Sequence, residues 1–244
     1  MPQIIENKDL YKEFVKLSDP DKNRQLYLDI VESELSDISN QLGRNLPPGY
    51  RCLRQETPPR VGPDLPGFNI ALVNDVSKTV IYYNSVVVMN ISDLNVKPAC
   101  QSLIWRSRSE RHRPVLHDFA RDVFFNYILP RYVAIVSDSN QSLGGRFFWE
   151  GQVQAAMAKD KHVYYYKMNQ AQIEPIVDES DFEALSKHIW GNDRDYANNL
   201  VIISEAELPL TKDYNIPAVV IEKTDKIDAT KLVDKTVDDR SLDI

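Results

Sequence analysis

Three groups of residues have the types and spacing that chemistry needs. The first is basic: Arg106, Arg108, Arg111 and Arg113 crowd the stretch just ahead of a helix that the pattern starts near Pro114. Free N–H groups at a helix start and the helix dipole favour an anion, and arginines add charge-assisted bonds. A phosphate or diphosphate therefore suits this stretch, although a solvated basic loop fits the same residues. The second group is SDSNQSLGGRFFWE, Ser137 to Glu150. Asp138 stands at the carboxyl end of an expected strand, where α/β folds place ligands. Gly144 and Gly145 permit close backbone approach, and Glu150 follows in the first turns of a helix. The structural alternative has Ser and Asn capping that helix, the glycines forming the turn, and Phe148 with Trp149 filling the core. The third group is Tyr164, Tyr165 and Tyr166 on one strand, which alternate faces. A tyrosine in a cleft can act as general acid toward a leaving thiolate.

Other chemistries find less support. Asp138 with Glu150 and Gln152 imitates a nuclease carboxylate set only loosely, because Glu150 sits in a helix pattern with no lysine two residues on. His112, His117, His162 and His188 have no metal-ligand spacing, and no metal is expected. There is no GxSxG, and neither Cys52 nor Cys100 has a nucleophile context. Both read as reduced thiols.

The net charge of -7 argues against broad binding to nucleic acid or to an anionic membrane. No apolar run reaches the length of a transmembrane helix, and the N-terminus does not read as a secretory signal. Cytoplasm is the default location. Hydrophobic content of 43% over 244 residues suffices for a sizeable core without staples.

The elements that would position these groups follow from the patterning. Residues 8–17 and 21–42 read as two helices punctuated by Ser18-Asp19-Pro20, with Gly43 closing the second. Residues 1–45 thus form an N-terminal helical hairpin. Residues 46–67, with six prolines and three glycines, read as an irregular proline-rich arm or linker. Phe68 to Val73 and Thr79 to Met89 read as a strand hairpin, followed by a polar basic loop, QSLIWRSRSERHR. Leu116, Phe119, Ala120, Val123, Phe124, Tyr127 and Ile128 make one apolar helix face that Pro130 ends. A strand at Tyr132 to Val136, a helix after Gly145 and a strand at His162 to Tyr166 complete an α/β pattern. A short helix at 178–190, a strand at Leu200 to Ser204 and another at Ala218 to Ile221 extend the α/β domain over 68–221. Residues 222–244 read as a solvated tail.

Residues 68 to 168 resemble the GNAT type of N-acetyltransferase fold, especially its divergent bacteriophage-encoded members. The resemblance rests on the basic run Arg111 to Arg113, the helix Phe119 to Leu129 and the strand Val133 to Asp138. The loop Gln141 to Gly145, the aromatic turn Phe147 to Trp149 and the strand Val163 to Tyr166 continue it. It implies a mixed, twisted sheet and an acyl-CoA-dependent N-acyltransferase. An acetyl-CoA or other acyl-CoA diphosphate would lie against Arg108, Arg111, Arg113, Val115 and Leu116, with Asp138, Glu150 and Tyr165 as catalytic candidates. The family places two glycines in its diphosphate signature, whereas this chain reads Arg113-Pro114-Val115-Leu116-His117-Asp118. The second reading is therefore a non-catalytic phage protein using this fold for binding or virion structure. Its protein partner would meet the N-terminal hairpin or the proline-rich arm, in the host cytoplasm or the virion. A flavodoxin-like nucleoside enzyme using Asp138 and Glu150 ranks below both, because the hairpin at 68–89 fits that topology poorly.

Overall fold

The computed structural model describes residues 3–4, 15–56, 66–92, 94, 96–137, 140–141, 143–190 and 198–210. Among them, nine strands form one mixed sheet: β1 Leu35–Asp37, β2 Tyr50–Gln55, β3 Gly67–Asn74, β4 Thr79–Val88, β5 Ala99–Arg106, β6 Ala134–Val136, β7 His162–Lys167, β8 Gln172–Pro175 and β9 Asn199–Ser204. Their spatial order is β8-β7-β9-β6-β5-β4-β3-β2-β1. Neighbours are antiparallel except β5 and β6, which run parallel. A separate two-residue parallel ladder joins Gln3–Ile4 to Asn140–Gln141. The α/β class expected from the patterning is the class observed. No helix among the described residues is long and apolar enough to cross a membrane.

The expected second helix is too long. Helix α1 spans Pro20–Val31, with the Asp19 carboxylate accepting from the Asp21 and Lys22 N–H groups at 3.1 Å each. It stops at Val31 because Ser33 folds back, its hydroxyl donating to the Ile30 carbonyl at 2.7 Å. Leu35 then enters β1, and Ile38 and Leu42 bury around a 3-10 turn, Ser39–Gln41. Aliphatics three or four apart fit two short elements as well as one helix once Ser and Asp interrupt the run. The first expected helix is described only from residue 15, so its earlier part lies outside the described residues.

Two stretches expected as irregular chain are strands. β2 lies inside the proline-rich arm. Gly49 (φ +83°) turns the chain after Pro47 and Pro48, and Cys52 and Leu53 then bury on opposite faces. Residues 57–65 of the arm lie outside the described residues. β5 lies inside the stretch read as a polar basic loop. Its Leu103 and Trp105 pack against one face and Ile104 against the other, so the polar residues between them are alternation within a strand. β8 was not expected, while the strand at Ala218 to Ile221 and the tail lie outside the described residues.

The helical stretch after Pro114 is broken. It comprises α2 Arg113–Leu116, α3 Phe119–Asp122, a π-helical run Val123–Ile128 and α4 Leu129–Tyr132. Asp118 at φ 54° interrupts it, and Pro130 does not end it. Proline lacks the N–H for a regular helical bond and crowds the carbonyl four residues back. The widened π turn just before it relieves that conflict. Helix α6 Glu179–Ile189 matches its expected position, whereas α5 Leu143–Met157 begins ahead of Gly144 and Gly145, so the two glycines lie in its first turn instead of forming the turn before it.

The sheet has helices on both faces. Phe119, Val123, Phe124, Trp149, Val153 and Ala156 cover Phe68, Ile70, Leu72, Tyr82 and Val86 on one face. On the other, Tyr27 and Ile30 of α1 cover Ala71, Val73 and Val80, and Ile91, Leu94 and Leu208 cover β6, β7 and β9.

Candidate functional site

The parallel junction is the irregular place in the sheet. Among the described residues, Ala99 with Ile135 and Cys100 with Val136 are in register between β5 and β6. Asp138 and Ser139, which follow on, lie outside the described residues. Ser137 stays with β9, its N–H donating to the Val201 carbonyl at 2.9 Å and its hydroxyl accepting from the Val201 N–H at 3.0 Å. β5 continues from Gln101 to Arg106 against β4.

Several buried polar side chains lie on the face of the sheet under Phe119 and Phe124. Val86 is opposite Gln101, and Asn84 is opposite Ile104, with a bulge between. Val86 and Ile104 both belong to the core face under Phe119 and Phe124, which puts Tyr82, Asn84 and Gln101 on that face. Tyr82 meets Phe119 edge-on at 5.0 Å. On α5, Gln152 is also buried, one turn past Trp149, whose ring packs edge-on against Phe124 at 5.8 Å. Relative exposures are 1% for Tyr82, 0% for Asn84 and 4% for both Gln101 and Gln152. The Tyr82 hydroxyl, both polar atoms of Asn84 and of Gln101, and Gln152 Oε1 have no hydrogen-bond partner among the described residues. Burial pushes the Tyr82 phenol well up.

The basic stretch is at the surface. Arg106, Arg108, Arg111 and Arg113 are exposed, and Arg113 Nη1 pairs with Glu110 at 3.2 Å. Val115 and Leu116 turn their side chains into the core. The helix expected to aim its dipole at an anion is only one turn long here, because Asp118 breaks it, so the arginines carry the positive charge. His112 is buried with Nδ1 3.0 Å from the Tyr50 hydroxyl. Burial first, and the Arg111 charge second, hold its pKa below the ordinary imidazole value.

The catalytic candidates are not brought to one place. Asp138 lies outside the described residues. Glu150 accepts from Arg146 Nε at 2.7 Å and faces a groove of about 210 Å³ shared with Gln154, Glu179, Phe182 and Glu183. Tyr165 does not line that groove and is buried in the core with Val153 and Val201. Its neighbours Tyr164 and Tyr166 point to the other face of the sheet, as alternation requires. The Tyr164 hydroxyl accepts from the Leu208 N–H at 2.9 Å. Among the described residues no group of three or more His, Cys, Asp or Glu is arranged to hold a metal ion.

Sequence reasoning passed over Asn84 and Gln101 and noted Gln152 only in a nuclease context. The available signal was polarity inside an apolar pattern: Asn84 in TVIYYNSVVV, and Gln152 between Trp149 and Val153 on a helix face otherwise built for the core. No family model, curated protein or solved structure matches this chain.

Proposed function

We propose that the chain is an acyl-CoA-dependent N-acyltransferase-like protein, phage-encoded as its resemblance implies. The observation that carries this reading is the order of the sheet. An antiparallel meander, β2 to β5, is followed by a helical crossover to a parallel strand. The basic stretch Arg106 to Arg113 departs from the end of β5. A cofactor lying along that end would have its diphosphate near Arg108, Arg111 and Arg113, where charge-assisted bonds serve in place of the missing glycine contacts. Calorimetry with acetyl-CoA tests the reading. Binding is expected, with Arg113→Ala weakening it by about 1 to 3 kcal/mol. Absence of binding at millimolar acetyl-CoA would sink it.

A second reading, binding without transfer in a phage or host assembly, is favoured by the placement of the catalytic candidates. Glu150 is neutralised by Arg146 and Tyr165 is held in the core. On this reading the protein partner meets the N-terminal region or the arm at 46–67. Replacing residues 57–65 of the arm with a glycine-serine linker of the same length is expected to abolish partner association, and retained association would count against it.

A further inference from the structure

We propose that the cleft lined by the chain from Asp37 to Arg51 binds a neutral sugar ring, free or at the end of a glycan, with Asp37, Asn40, Asn45 and Arg51 meeting its hydroxyls and Tyr50 its flank. The cleft has a volume of about 640 Å³, and every residue lining it belongs to the chain from the end of β1 to the start of β2. Small-molecule sites run from roughly 300 to 1,000 Å³. The groove beside Glu150, at about 210 Å³, falls below that range.

The first support is that three of the lining side chains are fixed by partners of their own. Asp37 Oδ1 accepts from the Ser39 N–H at 2.9 Å and from the Ser39 hydroxyl at 2.5 Å, and that hydroxyl accepts in turn from the Cys52 N–H at 2.9 Å. The Tyr50 hydroxyl is 3.0 Å from His112 Nδ1, and its ring meets the imidazole edge-on at 6.0 Å. Arg51 Nε and Nη2 donate to the two Asp75 oxygens at 2.7 and 2.8 Å. These three side chains therefore lose little freedom when a ligand arrives.

The second support is what those anchors leave over. Asp37 Oδ2, Arg51 Nη1 and the carboxamides of Asn40 and Asn45 make no hydrogen bond among the described residues. One exposed carboxamide is ordinary surface. Here two of them share a single concavity with an open carboxylate oxygen and an open guanidinium edge.

The third is their chemistry. Asp37 only accepts, Arg51 only donates, and each carboxamide does both. The Arg51 charge is already met by Asp75, so Asp37 leaves an excess of negative charge that disfavours phosphate or carboxylate. The guanidinium beside Asp37 disfavours an ammonium in its turn. An apolar ligand would strip water from these groups and return no hydrogen bonds. A sugar hydroxyl donates and accepts at once, so adjacent hydroxyls match a carboxylate oxygen and a carboxamide or guanidinium N–H together. The C–H flank of the ring suits Tyr50 and Leu46, which also line the cleft. Arg108, Arg111 and Arg113 do not line it, so the site is independent of the acyl-CoA reading.

Calorimetry on the full chain with the methyl glycosides of glucose, galactose, mannose and N-acetylglucosamine, run beside a glycan array, tests this. Binding of a glycoside is expected if the ring alone is recognised, and binding on the array without it if the site needs a glycan end. Asn40→Ala combined with Asn45→Ala is expected to weaken the sugar at least tenfold with the ligand-free Tm unchanged, since neither carboxamide has a protein partner to lose among the described residues. The uronic acid of the bound sugar should bind the unaltered protein at least tenfold more weakly, because its carboxylate meets Asp37. Sugar-induced shifts of the Asn40 and Asn45 side-chain amide resonances in the isotope-labelled, unaltered protein make the same test without any substitution. Sugar binding that the double substitution leaves unchanged within twofold overturns the site, as does tighter binding of the uronic acid. Failure of every glycoside at millimolar concentration together with a blank array overturns it as well, and so does displacement of a bound sugar by millimolar inorganic phosphate or spermidine.

Discussion

The Arg54 guanidinium lies over the Phe68 ring, its central carbon 3.9 Å from the ring centroid. Phe68 in turn stacks on Tyr132 at 5.6 Å. The Tyr127 and Tyr132 hydroxyls accept from Arg54 Nη1 and Nη2 at 3.3 and 3.4 Å. One side chain from β2 therefore ties the edge of the meander to the π-helical run and to α4. This is packing as much as charge, because the guanidinium is flat, weakly hydrated and only 17% exposed.

Arg54→Ala is expected to destabilise the protein by about 2 kcal/mol, the scale of a desolvated cation–π contact with its hydrogen bonds. In a domain of this size that lowers Tm by roughly 4 to 8 °C. Arg54→Lys should recover less than half, since an ammonium neither stacks flat nor reaches both hydroxyls. Thermal melts of the two variants check this, and equal stability of Lys and Arg would mean that charge alone matters. Glu56, at 69% exposure, adds little to the pair with Arg54.

Gly43 is required by both its conformation and its neighbour. Its φ is +69°, and a Cβ there would stand 3.0 Å from Asn126 Nδ2. That same amide donates to the Leu42 carbonyl at 2.7 Å, joining the turn after Ser39–Gln41 to the π-helical run. Gly43→Ala is expected to cost about 1 to 2 kcal/mol in a denaturant titration, combining left-handed strain with displacement of Asn126. Asn126→Ala should cost less in combination with Gly43→Ala than alone, because both disturb one contact.

Two groups separate the acid response into two windows. Hydrogen bonds from Arg51 at 2.7 and 2.8 Å, with a further one from the Tyr27 hydroxyl at 2.9 Å, hold the Asp75 carboxyl below its ordinary 3.8. A depressed folded value means that the contribution is present above the unfolded value and is lost as pH falls through the folded one. His112 is likewise depressed, from an ordinary 6.5, by burial and then by Arg111. The unfolded chain thus takes up its proton first, and stability declines as pH falls below about 6.5. Stability measured against pH should show an upper slope that His112→Gln flattens and a lower one, beginning near pH 4, that Asp75→Asn flattens. An upper slope that survives His112→Gln would assign it elsewhere.

Much of the fold was legible in the residues. Alternation marked β3, β4, β7 and β9, and the apolar stripe from Leu116 to Ile128 marked the helical crossover. Two local ambiguities hid the rest. Leu35, Ile38 and Leu42 are spaced like a helix yet serve a strand and a 3-10 turn, because spacing alone cannot see Ser33 close α1. In β5 the polar residues Gln101 and Ser102 disguised a strand whose partners lie far along the chain. The candidate site was less legible for the same reason. Asn84 and Gln101 become neighbours only through pairing across the sheet. The loop residues that attracted attention, Arg111 and Arg113, are the ones that sequence marks by charge.

Tyr165 offers the sharpest division between transfer and binding alone. Its phenol is buried among Val153 and Val201, with the Lys167 ammonium 5.4 Å from its ring. Replacement by phenylalanine keeps the ring and its packing and removes only the hydroxyl. If that hydroxyl protonates a leaving thiolate, Tyr165→Phe should bind CoA with the affinity of the unaltered protein and transfer acetyl groups roughly 100-fold or more slowly. Single-turnover transfer to a polyamine or lysine-rich peptide, read beside calorimetry, checks both halves. Unchanged transfer would remove Tyr165 from the mechanism. Undetectable transfer by the unaltered protein, with CoA binding intact, would decide for the second reading, and Glu150, already held by Arg146, would then be a surface ion pair at the edge of an acidic groove.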